Sequence, residues 1–317
     1  MPQRTRWPLA AGLAAGVALD ALFGDPRRGH PVAAFGRAAA ALEARDYADS
    51  RRRGAAHAAA CVLAVAVPAA VLHRRTRGRP PWRAAAVATA VWAVTGARSL
   101  HHEAERAWSS LHRNDLAAAR DVLPSLCGRD PARLGAAEIT RAVIESVAEN
   151  TSDAVVAPLL WGAVAGIPGL VAYRAVNTLD AMVGHRSARY LRFGWASARL
   201  DDAANWIPAR VSAALTAACA PLVTGASPAS VVTVTRRDGG HHPSPNAGRC
   251  EAAFAAALGV RLGGTNVYAG VAEARPDLGE GRAPEPEDIR RAIALSRAVT
   301  VSATALAALI AVMAGGR

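Results

Sequence analysis

Long uncharged runs alternate with short polar blocks along this chain. Trp7 to Leu19, Ala55 to Leu72 (broken only by His57), Ala154 to Tyr173, Val211 to Thr235 and Ala298 to Gly316 contain no acidic or basic side chain other than that histidine. The last four have about the length a helix needs to cross a hydrocarbon layer of about 30 Å. The first follows Arg4 and Arg6 and continues through Asp20 to Gly24 without a small-x-small cleavage site, so it reads as a retained helix and not a cleaved signal peptide. The shorter run Ala84 to Ala97 fits a tilted span, an interfacial helix or a buried helix. Ser99 to Leu126 and Glu138 to Asn150 predict more polar helices, the second preceded by the breakers Gly128, Pro131 and Gly135. Residues Gly263 to Pro286, rich in Gly, Pro and acid, predict an exposed loop before a last amphipathic-to-apolar helix. The pattern predicts an all-α, multi-pass helical membrane protein with roughly four to six apolar segments. With no repeat or linker to divide it, residues 1–317 read as one membrane-embedded domain.

Composition softens the membrane signal without reversing it. Hydrophobic residues make up 52% of the chain and charged ones 20%. Much of the apolar content is alanine, a strong helix former but a weak hydrophobe. The net charge is +12 and every basic residue is arginine. The arginines flank apolar runs and are not interleaved with aromatics on a soluble domain, which favours lipid headgroups of the cell membrane over nucleic acid. Orientation stays open, because the segments Arg27 to Arg53 and Arg74 to Arg83 are both arginine-rich and flank the same run. Cys61, Cys127, Cys219 and Cys250 form no C-x-x-C pair, so neither zinc nor a disulfide framework is signalled; Cys61 and Cys219 read as small core residues. His101, His102, Glu103 and Glu105 read as a solvated helix face. Trp7, Trp82 and Trp206, at run ends, read as interfacial anchors, and the glycines and alanines within runs as close helix packing.

Five polar blocks carry the candidate chemistry. Gly24-Asp25-Pro26-Arg27-Arg28-Gly29-His30-Pro31 is a turn in which Asp25 suits a cation and His30 and the arginines suit an anion. Glu145, Glu149 and Asp153 fall at i, i+4 and i+8, which on a helix aligns three carboxylates as magnesium would require. Asn177 and Asp180 are at i, i+3, next to Arg174. Asp201 and Asn205 lie one helical turn apart, with Asp202 to the side and Arg199 before them. His241-His242-Pro243-Ser244-Pro245-Asn246-Ala247-Gly248 holds too many prolines for a helix and predicts a shaped loop.

These blocks resemble, in order from about residue 19 to 270, the adenosylcobinamide-phosphate synthase family, the CobD/CbiB proteins of cobalamin biosynthesis. The matching segments are the Gly-Asp-Pro and His-Pro start, Glu145 to Asp153, Asn177-Thr178-Leu179-Asp180, Phe193-Gly194-Trp195-Ala196-Ser197-Ala198-Arg199-Leu200-Asp201-Asp202, and His242 to Gly248. Departures are Arg174 in place of Lys, Ala181 for Ser, His185 for Tyr and Thr265 for Pro. Arg174 keeps the charge but cannot act as a base.

The resemblance implies a multi-pass carbon-nitrogen ligase that joins aminopropanol or aminopropanol phosphate to the free propionate of adenosylcobyric acid. It implies ATP and Mg²⁺ as co-substrate and metal, no tightly bound cofactor, and a corrinoid as substrate, with other corrinoid-pathway membrane enzymes as further partners. Glu145, Glu149, Asp153, Asp180, Asp201 and Asp202 are the candidates for metal and base work, with Glu145, Glu149, Asp153 and Asp201 holding Mg²⁺. Asp25, His30, Asn150, Arg174, Asn177, Arg199, Asn205, His242, Ser244 and Asn246 are the substrate-binding candidates.

The chain has no Gly-x-x-x-x-Gly-Lys-Ser/Thr loop. If Ala154 to Tyr173 crossed straight, the blocks on either side of it would face opposite sides of the membrane. Pro158, Gly162, Gly166, Pro168 and Gly169 within it, and Pro221 and Pro228 in the Val211 to Thr235 run, predict kinked or re-entrant segments instead. Two rival readings remain at this point. A membrane prenyl or phosphoalcohol transferase would carry paired Asp-x-x-x-Asp motifs, and a corrinoid transporter or scaffold would use intramembrane acids without ATP-dependent turnover.

Overall fold

The computed structural model describes residues 7–25, 29–132, 134–268 and 271–313. Pro26, Arg27 and Arg28 of the first polar block, and Arg4 and Arg6, lie outside the described residues. In chain order the helices are α1 (Trp7–Phe23), α2 (Pro31–Asp46), α3 (Arg51–Arg75), α4 (Pro80–Val94), α5 (Ala97–His112), α6 (Leu116–Val122), α7 (Ala136–Thr151), α8 (Ala157–Val183), α9 (Tyr190–Phe193), α10 (Trp195–Val223), α11 (Pro228–Asp238), α12 (Ala247–Leu258) and α13 (Pro286–Met313). A 3-10 turn, Leu123–Ser125, follows α6, and a π-helical turn, Ser152–Val156, joins α7 to α8. Four helical stretches are long and apolar enough to cross a membrane: Arg51–Arg75, Ala136–Val183, Trp206–Val223 and Pro286–Met313. The predominantly helical, multi-pass architecture expected from the run pattern is therefore present.

Three local expectations need correcting. Gly263 to Pro286 is not simply a loop: β1 (Leu262–Tyr268) and β2 (Val271–Leu278) pair antiparallel, with Leu262 opposite Leu278 and an irregularity between Leu262 and Gly264. Glycines and acids hid the alternation, while Leu262 and Leu278 are fully buried at the hairpin base. Val211 to Thr235 is not one helix, since α10 ends at Val223 and α11 starts with Pro228 behind the Ser227 cap. His101 is not on a solvated face. It shares the inward stripe of α5 with Ala97, Ala104 and Leu111.

Contacts divide the chain into two compact units, one of residues 1–96, 157–205 and 303–317, the other of 97–156 and 206–302. In the first, α1 and α4 approach at glycines. A Cβ on Gly12 would meet the Cβ of Val87 at 2.6 Å and the carbonyl of Ala84 at 2.7 Å, and one on Gly16 would overlap Val91. This is the close small-residue packing expected of apolar helices. The predicted kink in α8 is present at Gly166 (φ 68°, ψ −152°), two residues before Pro168. That backbone conformation strongly favours glycine, and the His73 ring fills the space a side chain would need.

In the second unit, a buried polar chain links α5, α7 and α13. His101 Nε2 lies 2.8 Å from Ser296 Oγ, which lies 2.6 Å from Thr151 Oγ1, and Thr151 donates to the Val147 carbonyl. Burial, with Arg297 nearby, pulls the His101 imidazole down from 6.5 to about 4. An unfolded imidazole takes up its proton near 6.5 whereas the folded one resists until about 4, so folding stability falls as pH drops through that window. Thermal melts of the detergent-solubilised protein should show this decline, and His101→Gln should flatten it; an unchanged slope would refute the assignment. In the first unit, Gly16→Leu should cost about 1–3 kcal/mol by overpacking. Gly78→Ala, with open space around it, should stay within about 0.5 kcal/mol in the same melts.

Candidate functional site

The polar blocks fall into two sets, one in each unit. In the first unit, Asp201 is the acceptor at the centre of an amide cradle. Asn205 Nδ2 donates to both Asp201 oxygens at 3.1 and 3.0 Å, and Asn177 Nδ2 donates to Oδ1 at 3.3 Å. Tyr173 OH donates to Asn205 Oδ1 at 2.8 Å, which fixes that amide with its NH₂ toward Asp201. Arg174 Nη1 reaches Asn177 Oδ1 at 3.3 Å and orients the other amide in the same way. Burial pushes the Asp201 carboxyl up, the two amides pull it down, and the charge of Asp202 pushes it up further. The helical spacings read from sequence do bring Arg174, Asn177, Asp201 and Asn205 together. Tyr173 was missed because a tyrosine ending an apolar run looks like an interfacial residue.

The remaining first-unit candidates have local contacts of their own. Asp202, one-third exposed, pairs with Arg199 at 3.6 Å. Asp180 packs against Gly184, where a Cβ would overlap its carboxylate. Asp25 and His30 face each other at 3.6 Å, and His30 Nδ1 also accepts the Val32 N–H at the start of α2.

In the second unit, the fold gathers a denser mixture of charges. Glu145, on the inner face of α7, pairs through Oε2 with Arg129, from the loop before the helix, and both side chains are buried. Its Oε1 accepts the Gly263 N–H of the hairpin at 2.7 Å. His242 Nε2 lies 3.0 Å from Arg275 Nη1 on β2 and 3.8 Å from Glu251 Oε1 on α12. Burial and then Arg275 push the His242 imidazole down. Glu251 is pushed well up, first by burial and then by the charges of Glu145 and Glu149. Cys250 is likewise pushed up by burial and by Asp153 and Glu149, which places both acids near α12. Asp153 lies in the π-helical turn, so the three-carboxylate row continues past Thr151 with altered spacing.

Two of the predicted ligands here are engaged in local structure. Asn150 Nδ2 donates to the Ser146 carbonyl at 2.9 Å. Ser244 Oγ accepts the N–H groups of Asn246 and Ala247 and so helps to start α12. Of the loop expected over His241 to Gly248, the stretch His241 to Asn246 is present with Asn246 buried at its end, and Ala247 and Gly248 instead open α12.

Sequence reasoning missed Glu251, Arg129 and Arg275. The one available signal was the run Ala252-Ala253-Phe254-Ala255 beside Glu251, whose residues are all buried. No trio of His, Cys, Asp or Glu among the described residues is arranged to hold a metal ion. Both Glu145 oxygens face donors, and Asp201 accepts amides through both of its own.

Replacing Asp201 by Asn puts an NH₂ where two amide donors point. Asp201→Asn should lower stability by about 1–3 kcal/mol. Asp202→Asn, partly solvated, should change it by less than about 0.5 kcal/mol. Thermal unfolding in detergent checks both, and equal losses would contradict the cradle.

A profile described as CobD/Cbib protein matches residues 13–296. Relatives named cobalamin biosynthesis protein CobD include one from Mycobacterium tuberculosis, 55% identical over 95% of this chain and 95% of its own. Another, from Geobacter metallireducens, is 46% identical over 84% of this chain and 86% of its own, and one from Sinorhizobium fredii is 42% identical over 92% and 94%. No solved structure matches. With the profile spanning nearly all the described helices and the identity sustained across most of the length, the chain belongs to the CobD/CbiB family of cobalamin biosynthesis.

Proposed function

We propose that the protein is an ATP-dependent carbon-nitrogen ligase of the cell membrane that joins aminopropanol or aminopropanol phosphate to the free propionate of adenosylcobyric acid. A carboxylate cannot expel oxide, so it needs activation before an amine can displace one of its oxygens. Attack of the propionate oxygen on the γ-phosphorus of ATP makes an acyl phosphate and releases ADP. The amine then attacks the acyl carbon, phosphate leaves, and the ammonium proton passes to a base.

The observation that carries this reading is the second-unit cluster. The guanidinium groups of Arg129 and Arg275 offer hydrogen-bond donors and positive charge to phosphoryl oxygens, the carboxyl of Glu251, which burial drives toward its neutral form, offers a further donor, and His242 Nε2 accepts from Arg275 and orients it. Family membership supports the same reaction class. ATP is taken as its magnesium complex, and no step is assigned to a metal held by the chain. Within the second unit Glu149 and Asp153 are the predicted carboxylates left for proton transfer, and Asp180 and Asp202 remain the first-unit candidates. In the first unit, Asp201 with its two amides serves as a rigid positioning group.

Purified protein incubated with adenosylcobyric acid, Mg-ATP and either amine should yield a corrinoid heavier by the amine less one water, read by mass spectrometry. Glu149→Gln and Asp202→Asn should each abolish the gain while the protein stays in the membrane. Absence of any mass gain with both amines would defeat the ligase reading, and corrinoid binding without ATP-dependent turnover would favour a transporter or scaffold.

A further inference from the structure

The carboxylate of Glu145 is held by two donors from segments far apart in sequence. Oε2 faces the Arg129 guanidinium, and Oε1 accepts the backbone N–H of Gly263 at 2.7 Å. A guanidinium converging with a backbone amide is a general means of binding an oxyanion. The amide is aimed by an unusual backbone: Gly263 and Gly264 both have left-handed φ, +84° and +86°. A Cβ at Gly263 would overlap the Pro276 carbonyl, and one at Gly264 would crowd Arg141 Nη1. The glycine pair is therefore needed for this N–H to point at α7.

Glu145 shares this interior with other charged groups. The charges of Glu145 and Glu149 both act on Glu251, within an interior that also holds Arg129 and Arg275. We infer that Arg129 and the Gly263 N–H form a phosphate-binding position, which the Glu145 carboxylate fills in the unliganded protein and yields to an incoming phosphate. A phosphate presents two oxygens to the same two donors, and Arg275, whose Nη1 donates to His242 Nε2 at 3.0 Å, supplies further donor capacity in the same unit. The inference rests on the proposed ligase reading for the source of the phosphate, while the position itself is argued from geometry.

The test titrates inorganic phosphate into the full-length protein in detergent by calorimetry. Removing the competing charge with Glu145→Gln should tighten phosphate binding by about tenfold. Arg129→Ala should weaken it by about tenfold or more. Circular dichroism establishes that each variant is folded; if Glu145→Gln is not, Glu145→Asp, too short to reach both donors, replaces it and should also bind more tightly than the native chain. A folded Glu145 variant that binds phosphate no better than the native protein overturns the inference. Competition then identifies the source: displacement of bound phosphate by ATP or by aminopropanol phosphate supports the site and names its substrate. Displacement by neither separates the site from ligation, with the Glu145 comparison still deciding the site.

Discussion

A polar side chain withdrawn from water among alanine-rich helices must find its partner within the chain, because an unsatisfied buried donor or acceptor costs about 1–3 kcal/mol. Each unit meets that constraint in its own way. The first surrounds Asp201 with the amides of Asn177 and Asn205, themselves oriented by Arg174 and Tyr173. The second joins His101, Ser296 and Thr151 in one chain, and places Glu145 between Arg129 and the hairpin. Alanine contributes little hydrophobic driving force per residue, so these directional contacts help to specify how the helices meet.

The same contacts limit the chemistry. A carboxylate whose oxygens already accept good donors has its orientation fixed by them, as at Asp201. A carboxyl buried beside other carboxylates is driven toward its protonated form, as Glu251 shows. Two acidic groups, on α10 and α12, thus acquire different properties from their surroundings alone. Asp202, partly solvated beside Arg199, and Glu149, near Cys250, differ from both.

The hairpin is the one extended element among the described residues, and its place in the second unit is set by polar anchors. Gly263 N–H meets Glu145, Arg141 Nη2 donates to the Thr265 carbonyl at 2.7 Å, and Gly279 N–H donates to Asp238 Oδ2 at 2.8 Å. Arg282 then pairs with Asp288 at the start of α13. Anchoring a short two-stranded ribbon at several points compensates for its small apolar face, since an isolated hairpin is only marginally stable.

The sequence by itself determined the helical class, the apolar stretches, the kink around Gly166 and the polar blocks that mark the family. These are local properties: hydrophobic period, breaker residues and spacing along one helix act over a few turns, so the chain displays them directly. It also picked out Arg174, Asn177, Asp201 and Asn205, which the structure joins by hydrogen bonds, since each lies in a conspicuous polar block. Only the tertiary structure decided that Glu251 and His101 are buried, that Arg129 and Arg275 join the second-unit cluster, and that Gly263 to Leu278 forms a hairpin and not a loop. Burial of a lone charge, and pairing between residues more than a hundred positions apart such as Glu145 and Gly263, depend on which helix faces meet. That depends on summed packing across each unit, which no local pattern encodes.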